Sequence, residues 1–499
     1  MSDFRTKLQW LGLFAGPIAA LLVYQALPVH YSMPGGGSED FTHAGRVTLS
    51  VMIWMAIWWL TEAIEISTTA LLPIAVLPLF GAVSIVDATA PYAHRLIFLY
   101  LGGFIVALSM QRWGLDKRIA LATLTLVGTR PANMIGGFMI ATAGLSAFMS
   151  NTATTAMMLP IALSVIALLK EKQPGGAASN FGVCLMLGIA YAASMGGIST
   201  LVGTPPNAFL ASFVEGTIDE QYRSEMSFAR WMMIGVPMTL IMLPIIWFLL
   251  TRLLYPVPSG RLEGGGEIMR KELRALGPMK RGEQVTLIIF LATAICWITR
   301  PFLQELFPFL SGLTDPGIAI IAATLLFMIP VDTAKREFVM NWNTALKMPW
   351  DILILFGGGM SLASAVKATG VAEFIGGQAG HFAGVPNVVL ILIVVTAVIL
   401  LTELTSNLAT TATLLPVLAS LAPGLGVHPY LLIFTATIAA SCAFMMPVAT
   451  PPNAIVFGSR QITIPQMVKA GVWLNIVGII VITVLAMFLI ETVTGVKFN

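Results

Sequence analysis

An all-α polytopic membrane protein, with about eleven transmembrane helices plus two long helical hairpins in an inverted repeat, is the fold this sequence predicts. Three observations carry that reading. The chain is 57% hydrophobic and only 10% charged, with a mean hydropathy of +0.87, against a globular norm of about 25% charged residues. The stretch SNTATTAMMLP, Ser150 to Pro160, returns as SNLATTATLLP at Ser406 to Pro416, with eight of eleven positions identical. TPPNA at Thr204 to Ala208 returns letter for letter at Thr450 to Ala454.

Composition also excludes. Net charge is +3 and no basic block is interleaved with aromatics, so there is no footprint for nucleic acid. Cys184, Cys296 and Cys442 sit far apart in apolar segments and read as buried thiols. The first apolar stretch, Leu8 to Val29, follows Arg5 and Lys7 without a small-residue cleavage site. It is long enough to span, so it reads as a retained first helix.

In chain order, the first three spans fall near 8–28, 46–60 and 66–84. The second ends in WWLTEAI, Trp58 to Ile64, whose aromatics suit an interfacial belt. A fourth span, Ile97 to Met110, runs into Arg112, Asp116, Lys117 and Arg118, which alternate with apolar residues as in an interfacial amphipathic helix. The run 131–169 has no charged residue and is a hairpin whose ends, flanked by Arg130 and Lys170, lie on one side. Its length lets the arms cross fully or turn back at mid-membrane. Span five, Phe181 to Val214, is interrupted by MGGISTLVGTPPNA, because glycines and paired prolines block a continuous helix. An acidic loop with Glu215, Asp219 and Glu220 follows, then span six, Trp231 to Leu250.

The loop between Arg252 and Arg281 is the most basic of the chain, hence cytoplasmic and a linker between halves. Spans seven to nine lie near 284–300, 316–330 and 350–366, and the second hairpin spans 386–423 with Glu403 as its one charge. Span ten, Tyr430 to Gly458, is broken by MMPVATPPNA, and span eleven covers about 466–490. Counting crossings from the basic loop puts the N-terminus inside and the C-terminus outside. WLTE at Trp59 matches WITR at Trp297 loosely, Gly102 and Gly103 match Gly358 and Gly359, and the hairpins and TPPNA segments follow in the same order. An odd number of crossings separates the copies, so the halves are inverted.

Inverted halves with paired interrupted helices point to a secondary transporter whose site lies at the repeat interface. At each break, carbonyls without helical partners ligate small cations, and the N-termini of the following half-helices offer N–H groups to an anion. Ser146, Ser150 and Asn151 with backbone near Gly203 supply an all-oxygen site suited to sodium; Thr402, Ser406 and Asn407 with backbone near Ala449 supply its twin. No Lys or Arg lies in these segments, so bound cations must neutralise a multiply charged anion. The competing reading, helix packing by small residues, accounts for Gly and Ala but not for paired Ser-Asn and Thr-Pro-Pro-Asn. A channel does not require inverted broken helices. An embedded enzyme is disfavoured because all five His, at 30, 43, 94, 381 and 428, fall near loops, and no HExxH or GxSxG motif occurs. Glu403 reads as a static partner for a backbone or polar group ahead of a proton site.

WWLTEAI, the first SNT with ATT and a downstream Pro, the second Ser-Asn motif and both TPPN segments together resemble the divalent anion/sodium symporter family, which includes sodium-coupled dicarboxylate, citrate and sulfate transporters. The resemblance implies re-entrant hairpins, a homodimer, and an elevator movement of a transport domain (131–255 and 386–499) against a scaffold (1–112 and 284–367). Interfacial arms (113–130 and 368–385) and the cytoplasmic linker (256–283) would join them. It implies sodium ligands at Ser146, Ser150, Asn151 and Gly203 and at Thr402, Ser406, Asn407 and Ala449, with two or more Na+ per protomer. Carboxylate contacts would come from Asn151, Thr152, Thr204, Asn407, Thr450 and Pro451. Leu408 departs from the family's Thr at the third position of the second motif, and is expected to shape the pocket, the alternative being that it turns into the hairpin core and touches no ligand. The implied function is sodium-coupled symport of small di- or tricarboxylates across the cell membrane; a sodium-independent exchanger or a sulfate transporter of the same fold is the alternative.

Overall fold

The structure, a computed structural model, describes residues 2–32, 38–172, 176–218, 222–223, 225–258, 260, 265–380 and 384–495. Asp219, Glu220 and His381 lie outside them. The described chain is mostly helical, and nine of its helices are long and apolar enough to cross a membrane, against the eleven spans expected. Four shorter apolar helical stretches, 66–79, 315–328, 387–402 and 429–440, lie among them.

Helix α1 (Ser2–Ala26) packs along α2 (His43–Thr61), and a small antiparallel ribbon, β1 (His30–Ser32) with β2 (Ser38–Asp40), joins them. The Thr42 hydroxyl caps α2 by accepting from Gly45 N at 3.1 Å. The helix ends where Glu62 turns left-handed, φ 48°, with its carboxylate paired to Arg5. Trp59 is wholly buried and its indole donates to Ile66 O at 3.1 Å, so this tryptophan of WWLTEAI belongs to the core and not to an interfacial belt. Span three is also shorter than expected. It divides into α3 (Ile66–Thr69) and α4 (Leu72–Leu79), because Pro73 and Pro78 withhold backbone donors.

After α5 (Ile85–Thr89), α6 (Arg95–Trp113) closes on Gly114 at φ 71° and bends into the arm helix α7 (Leu115–Leu126). The first hairpin is α8 (Pro131–Ser146) and α9 (Asn151–Lys172), joined by residues 147–150. The first broken helix is α10 (Gly176–Ile198) and α11 (Pro205–Thr217), followed by α12 (Phe228–Phe248), which continues to Leu254 as a π-helix. Within the linker, for which no helix was expected, α13 (Gly265–Ala275) forms. It packs on α7, burying Met269 and pairing Glu272 with Lys117 at 3.3 Å.

The second half opens with α14 (Arg281–Leu306) and α15 (Asp315–Met328). A second ribbon, β3 (Pro330–Asp332) with β4 (Glu337–Phe338), and a short α16 (Trp342–Ala345) lead to α17 (Trp350–Ala368). The two ribbons qualify the all-α expectation. Gly370, at φ 80°, then bends the chain into the arm helix α18 (Val371–Ala379). Gly114 and Gly370 are 256 positions apart, the spacing that also separates Asn151 from Asn407. At both bends a residue with Cβ would be strained. Hairpin α19 (Asn387–Thr402) and α20 (Asn407–Gly424), broken helix α21 (Pro429–Ala440) and α22 (Pro451–Gly458), and α23 (Ile464–Leu485) repeat the order of the first half. A π-turn and α24 (Glu491–Thr494) close the described chain.

The centre is α10, whose apolar window is entirely buried and which packs against α8, α9, α12 and α22. The halves interlock: α9 packs on α22, and α20 packs on α11. Each hairpin therefore meets the broken helix of the other half as well as its own.

Candidate functional site

Both hairpin tips bring a hydroxyl, an asparagine and a carbonyl together. In the first, Ser146 Oγ lies 2.5 Å from Asn151 Oδ1 and 2.8 Å from Ala193 O of α10. In the second, Thr402 Oγ1 lies 2.8 Å from Asn407 Oδ1 and 2.9 Å from Ala440 O of α21. A hydroxyl has one proton, so it serves one of two acceptors at a time. The other close contact is then between two oxygens with no proton between them. These are hard oxygen donors, which suit an alkali or alkaline-earth ion and not a thiolate-seeking metal. Ser406 stands at the N-cap of α20 without capping it through its side chain, and Ser150 occupies the matching half-buried place before α9.

The backbone at the first break closes over the same place. A Cβ added to Gly203 would lie 2.5 Å from Gly197 O and 2.9 Å from Ala147 O, and one added to Gly197 would lie 2.6 Å from Asn151 Oδ1. Glycine at these two positions is a packing requirement. Asn207 of TPPN ties the break down, with Nδ2 donating to Gly197 O, Ile198 O and Thr200 O at 3.0, 3.3 and 2.8 Å. Trp231 Nε1 donates to Ile198 O at 2.8 Å, the Thr200 hydroxyl to Ala147 O, and Tyr100 OH to Leu201 O and Thr204 O.

The second break is built differently. α21 stops at Ala440, so the irregular stretch runs from 441 to 450, against 199 to 204 in the first half. The extra unwound residues leave backbone N–H groups without helical acceptors. Glu403 takes three of them: Oε1 accepts from Phe444 N at 2.8 Å and Met445 N at 3.0 Å, and Oε2 from Met445 N and Met446 N at 3.0 Å. Asn475 Nδ2 of α23 adds a bond to Oε1 at 2.8 Å. The carboxylate is thus a static partner for backbone, as its sequence context suggested. Asn453 Nδ2 donates to Ala443 O and Met446 O, both at 3.1 Å, repeating the role of Asn207. Asn207 Oδ1 and Asn453 Oδ1 are buried without a hydrogen-bond partner, two acceptors oriented alike in the two halves.

The structure thus brings Ser146, Asn151 and Gly203 together, and sets Thr402 and Asn407 beside each other, with Ala449 buried in the second break. Thr204 and Thr450 are both buried at the N-caps of α11 and α22; Thr450 caps its helix, accepting from Asn453 N at 3.3 Å, whereas Thr204 does not. Pro451 and Thr152 are exposed. Leu408, which stands where Thr152 does in the repeat, is 7% exposed and sits in the apolar core. Sequence reasoning missed Asn207, Asn453, Tyr100 and Trp231. The two asparagines had a signal, repetition within TPPN; the two aromatics had none.

At one end of the bundle, Arg95 of α6 pairs with Glu215 of α11, and Arg300 of α14 reaches Glu225 at 2.6 Å and Asp315 at 2.9 Å. These groups line a cavity of about 870 Å³. Burial opposes ionisation of Glu225, but the hydrogen bond and charge of Arg300 outweigh it and hold the carboxyl below its ordinary range.

A buried bundle of apolar helices, interrupted twice where oxygen-rich hairpin tips meet it, defines a polytopic membrane transporter. The chain belongs to the sodium:sulfate symporter family, whose transmembrane region matches residues 9–495. The sodium-dependent dicarboxylate transporter SdcS of Staphylococcus saprophyticus is 40% identical over 98% of this chain and 92% of its own length. SdcS of Staphylococcus aureus MRSA252 is 39% identical over 98% and 93%. In fold, the chain is similar to the Alcanivorax borkumensis YdaH transporter, with TM-score 0.59 at 14% identity over 96% of this chain and 97% of that one. It is also similar to Neisseria gonorrhoeae MtrF, with TM-score 0.57 at 12% identity over 97% and 94%.

Proposed function

We propose that this protein is a secondary active transporter that couples inward sodium flow to uptake of small di- or tricarboxylates. The observation that carries the reading is the pair of tip sites, in which a hydroxyl with a single proton faces two oxygens, at Ser146 with Asn151 and Ala193, and again at Thr402 with Asn407 and Ala440. Ser146, Ser150, Asn151 and Gly203 hold one sodium ion, and Thr402, Ser406, Asn407 and Ala449 the other. Both ions travel as cargo. Asn151, Thr152, Thr204, Asn407, Leu408, Thr450 and Pro451 surround the carboxylate substrate. With no Lys or Arg in these segments, the two cations and the N-termini of α11 and α22 offset the substrate's charge. The names of the SdcS relatives agree with sodium as the cation and with a dicarboxylate as the substrate.

The hairpins are re-entrant in this reading: α8 and α19 have 16 residues each, about 24 Å at 1.5 Å per residue and short of a hydrocarbon core of about 30 Å, whereas α9, with 22 residues, is long enough to cross and continues past the membrane face. The hairpins with α10 to α12 and α21 to α23 move as one body against α1 to α6 and α14 to α17, in a homodimer with its N-termini inside and C-termini outside. The ion pairs Arg95 to Glu215 and Arg300 to Glu225 cross that boundary and exchange during the movement. Sulfate is the second substrate reading, favoured by the name of the matching family.

Uptake of labelled succinate, citrate and sulfate into proteoliposomes, with and without a sodium gradient, tests the function. Saturable succinate or citrate uptake that requires sodium is expected. Uptake indifferent to sodium would replace symport by exchange, and sulfate uptake alone would replace the substrate. Cysteine pairs between α6 and α11 should cross-link differently with and without sodium and substrate, and an unchanging pattern in transporting protein would rule out the elevator.

A further inference from the structure

We infer that Tyr191 is a positioning residue through which the helix of the first cation site sets the geometry of the second. The inference rests on the two-cation reading and extends it to how the sites communicate. Tyr191 is wholly buried on α10, two residues before Ala193, whose carbonyl faces Ser146 in the first tip site. Its hydroxyl leaves its own half and donates to Phe444 O at 2.7 Å, inside the unwound stretch of the second half. Its ring meets that of Phe444 edge to face at 5.1 Å.

Phe444 is the residue this arrangement turns on. Its carbonyl is held by the first half through Tyr191, and its N–H by the second half through Glu403 Oε1 at 2.8 Å. Glu403 directly follows Thr402, the hydroxyl of the second tip site, and the flanking carbonyls of Ala443 and Met446 are bonded by Asn453. α23 closes the far side, since a Cβ on Gly471 would lie 2.4 Å from Met445 Cα. The unwound segment therefore has few ways to move, and among the described residues Tyr191 gives it a hydroxyl-donated link to the first half. On α21 the TPPNA spacing puts Thr437 in the corresponding place, and its hydroxyl donates to Ile433 O of its own helix and not to the first half. A cation that orders the first tip and α10 thereby orders part of the second site before its own ion arrives. That is positive coupling through a shared rigid element.

A buried tyrosine finds a hydrogen-bond partner in any well-packed core, so the test must move something that mere packing does not. Sodium dependence of substrate uptake is measured for the wild type, Tyr191→Phe and Phe444→Leu in proteoliposomes, with size-exclusion profiles to verify folding. Wild-type protein is expected to respond to sodium with a Hill coefficient above one. Tyr191→Phe is expected to bring that coefficient toward one and to raise half-saturating sodium about 2- to 10-fold, the worth of one such hydrogen bond, with substrate KM at saturating sodium little changed. Phe444→Leu keeps the backbone carbonyl and is expected to keep the cooperativity. Unchanged sodium cooperativity in Tyr191→Phe overturns the inference, as does an equal loss in Phe444→Leu, which would assign the effect to ring packing. If Tyr191→Phe does not fold, a fluorotyrosine at position 191, which changes the donor strength of the hydroxyl at nearly constant size, takes its place; an unchanged Hill coefficient and half-saturating sodium then overturn the inference. Wild-type uptake indifferent to sodium would overturn the two-cation reading instead, and non-cooperative sodium dependence would overturn the coupling alone.

Discussion

Replacing Glu403 by alanine removes the acceptor for three successive backbone N–H groups and for the Asn475 amide. Glu403 is 3% exposed and Phe444 wholly buried, so water does not readily replace the carboxylate. Each orphaned donor costs about 1–3 kcal/mol. Relief of the buried carboxylate's desolvation returns part of that, leaving an expected loss of about 3–5 kcal/mol, typical of stripping one partner from a buried charged network. Glu403→Gln keeps one oxygen, so its loss should be about 1–3 kcal/mol. The first-half control is Thr200→Val, which deletes one hydroxyl bond to Ala147 O at the tip position matching Glu403, for about 1 kcal/mol. Apparent melting of purified protein should rank Glu403→Ala below Glu403→Gln, and Glu403→Gln below or near Thr200→Val. The Glu403→Ala variant should melt about 3–5 °C below wild type, at roughly 1 °C per kcal/mol for a chain of this length. If it melts within about 1 °C of wild type, the carboxylate does not hold the unwound segment and the account of the second break is wrong.

Asn151→Ala or Asn407→Ala should abolish sodium-coupled uptake while the protein still elutes as a folded species; normal sodium-dependent transport by either removes that amide from the site. Gly203→Ala pushes a methyl group against Gly197 O and Ala147 O, and should cost about 1–3 kcal/mol and raise half-saturating sodium, whereas Ala449→Gly in the second break, which adds no atoms, should not raise it; equal sodium curves for Gly203→Ala and wild type would contradict the crowding. Leu408→Thr should change the ranking of succinate against citrate more than it changes sodium affinity, and an unaltered ranking accompanied by lower stability would place Leu408 in packing alone. Burial pushes the His428 imidazole down to about 4, and the neutral ring accepts from Tyr430 N at 3.2 Å to cap α21. An unfolded chain takes up this proton below its ordinary pKa of about 6.5 while the folded one does not, so stability should fall by at most about 3 kcal/mol from pH 6.5 to 4 and level off below. His428→Asn, which also caps, should remove that slope; an identical pH profile would acquit His428.

The sequence by itself determined the helices, their interruptions and the repeat. Apolar stretches of membrane length, prolines without N–H groups and glycines at bends act through local covalent geometry, so TPPN and the hairpin motifs announced where backbone groups would be orphaned. Ser146 with Asn151 and Thr402 with Asn407 were legible for the same reason, since five residues of one tip separate each pair. The helix α13 was not, because its glycine-rich start obscured an amphipathic face that only α7 gives a reason to fold. Which groups satisfy each break was decided by tertiary structure alone. Glu403 lies 41 residues from Phe444, Tyr191 lies 253, and Tyr100 lies 104 from Thr204. An unwound backbone must have its donors and acceptors paired in a membrane interior, but any buried hydroxyl, indole or carboxylate can do it. The sequence states the demand, and only the packing of the two interlocked halves selects who meets it.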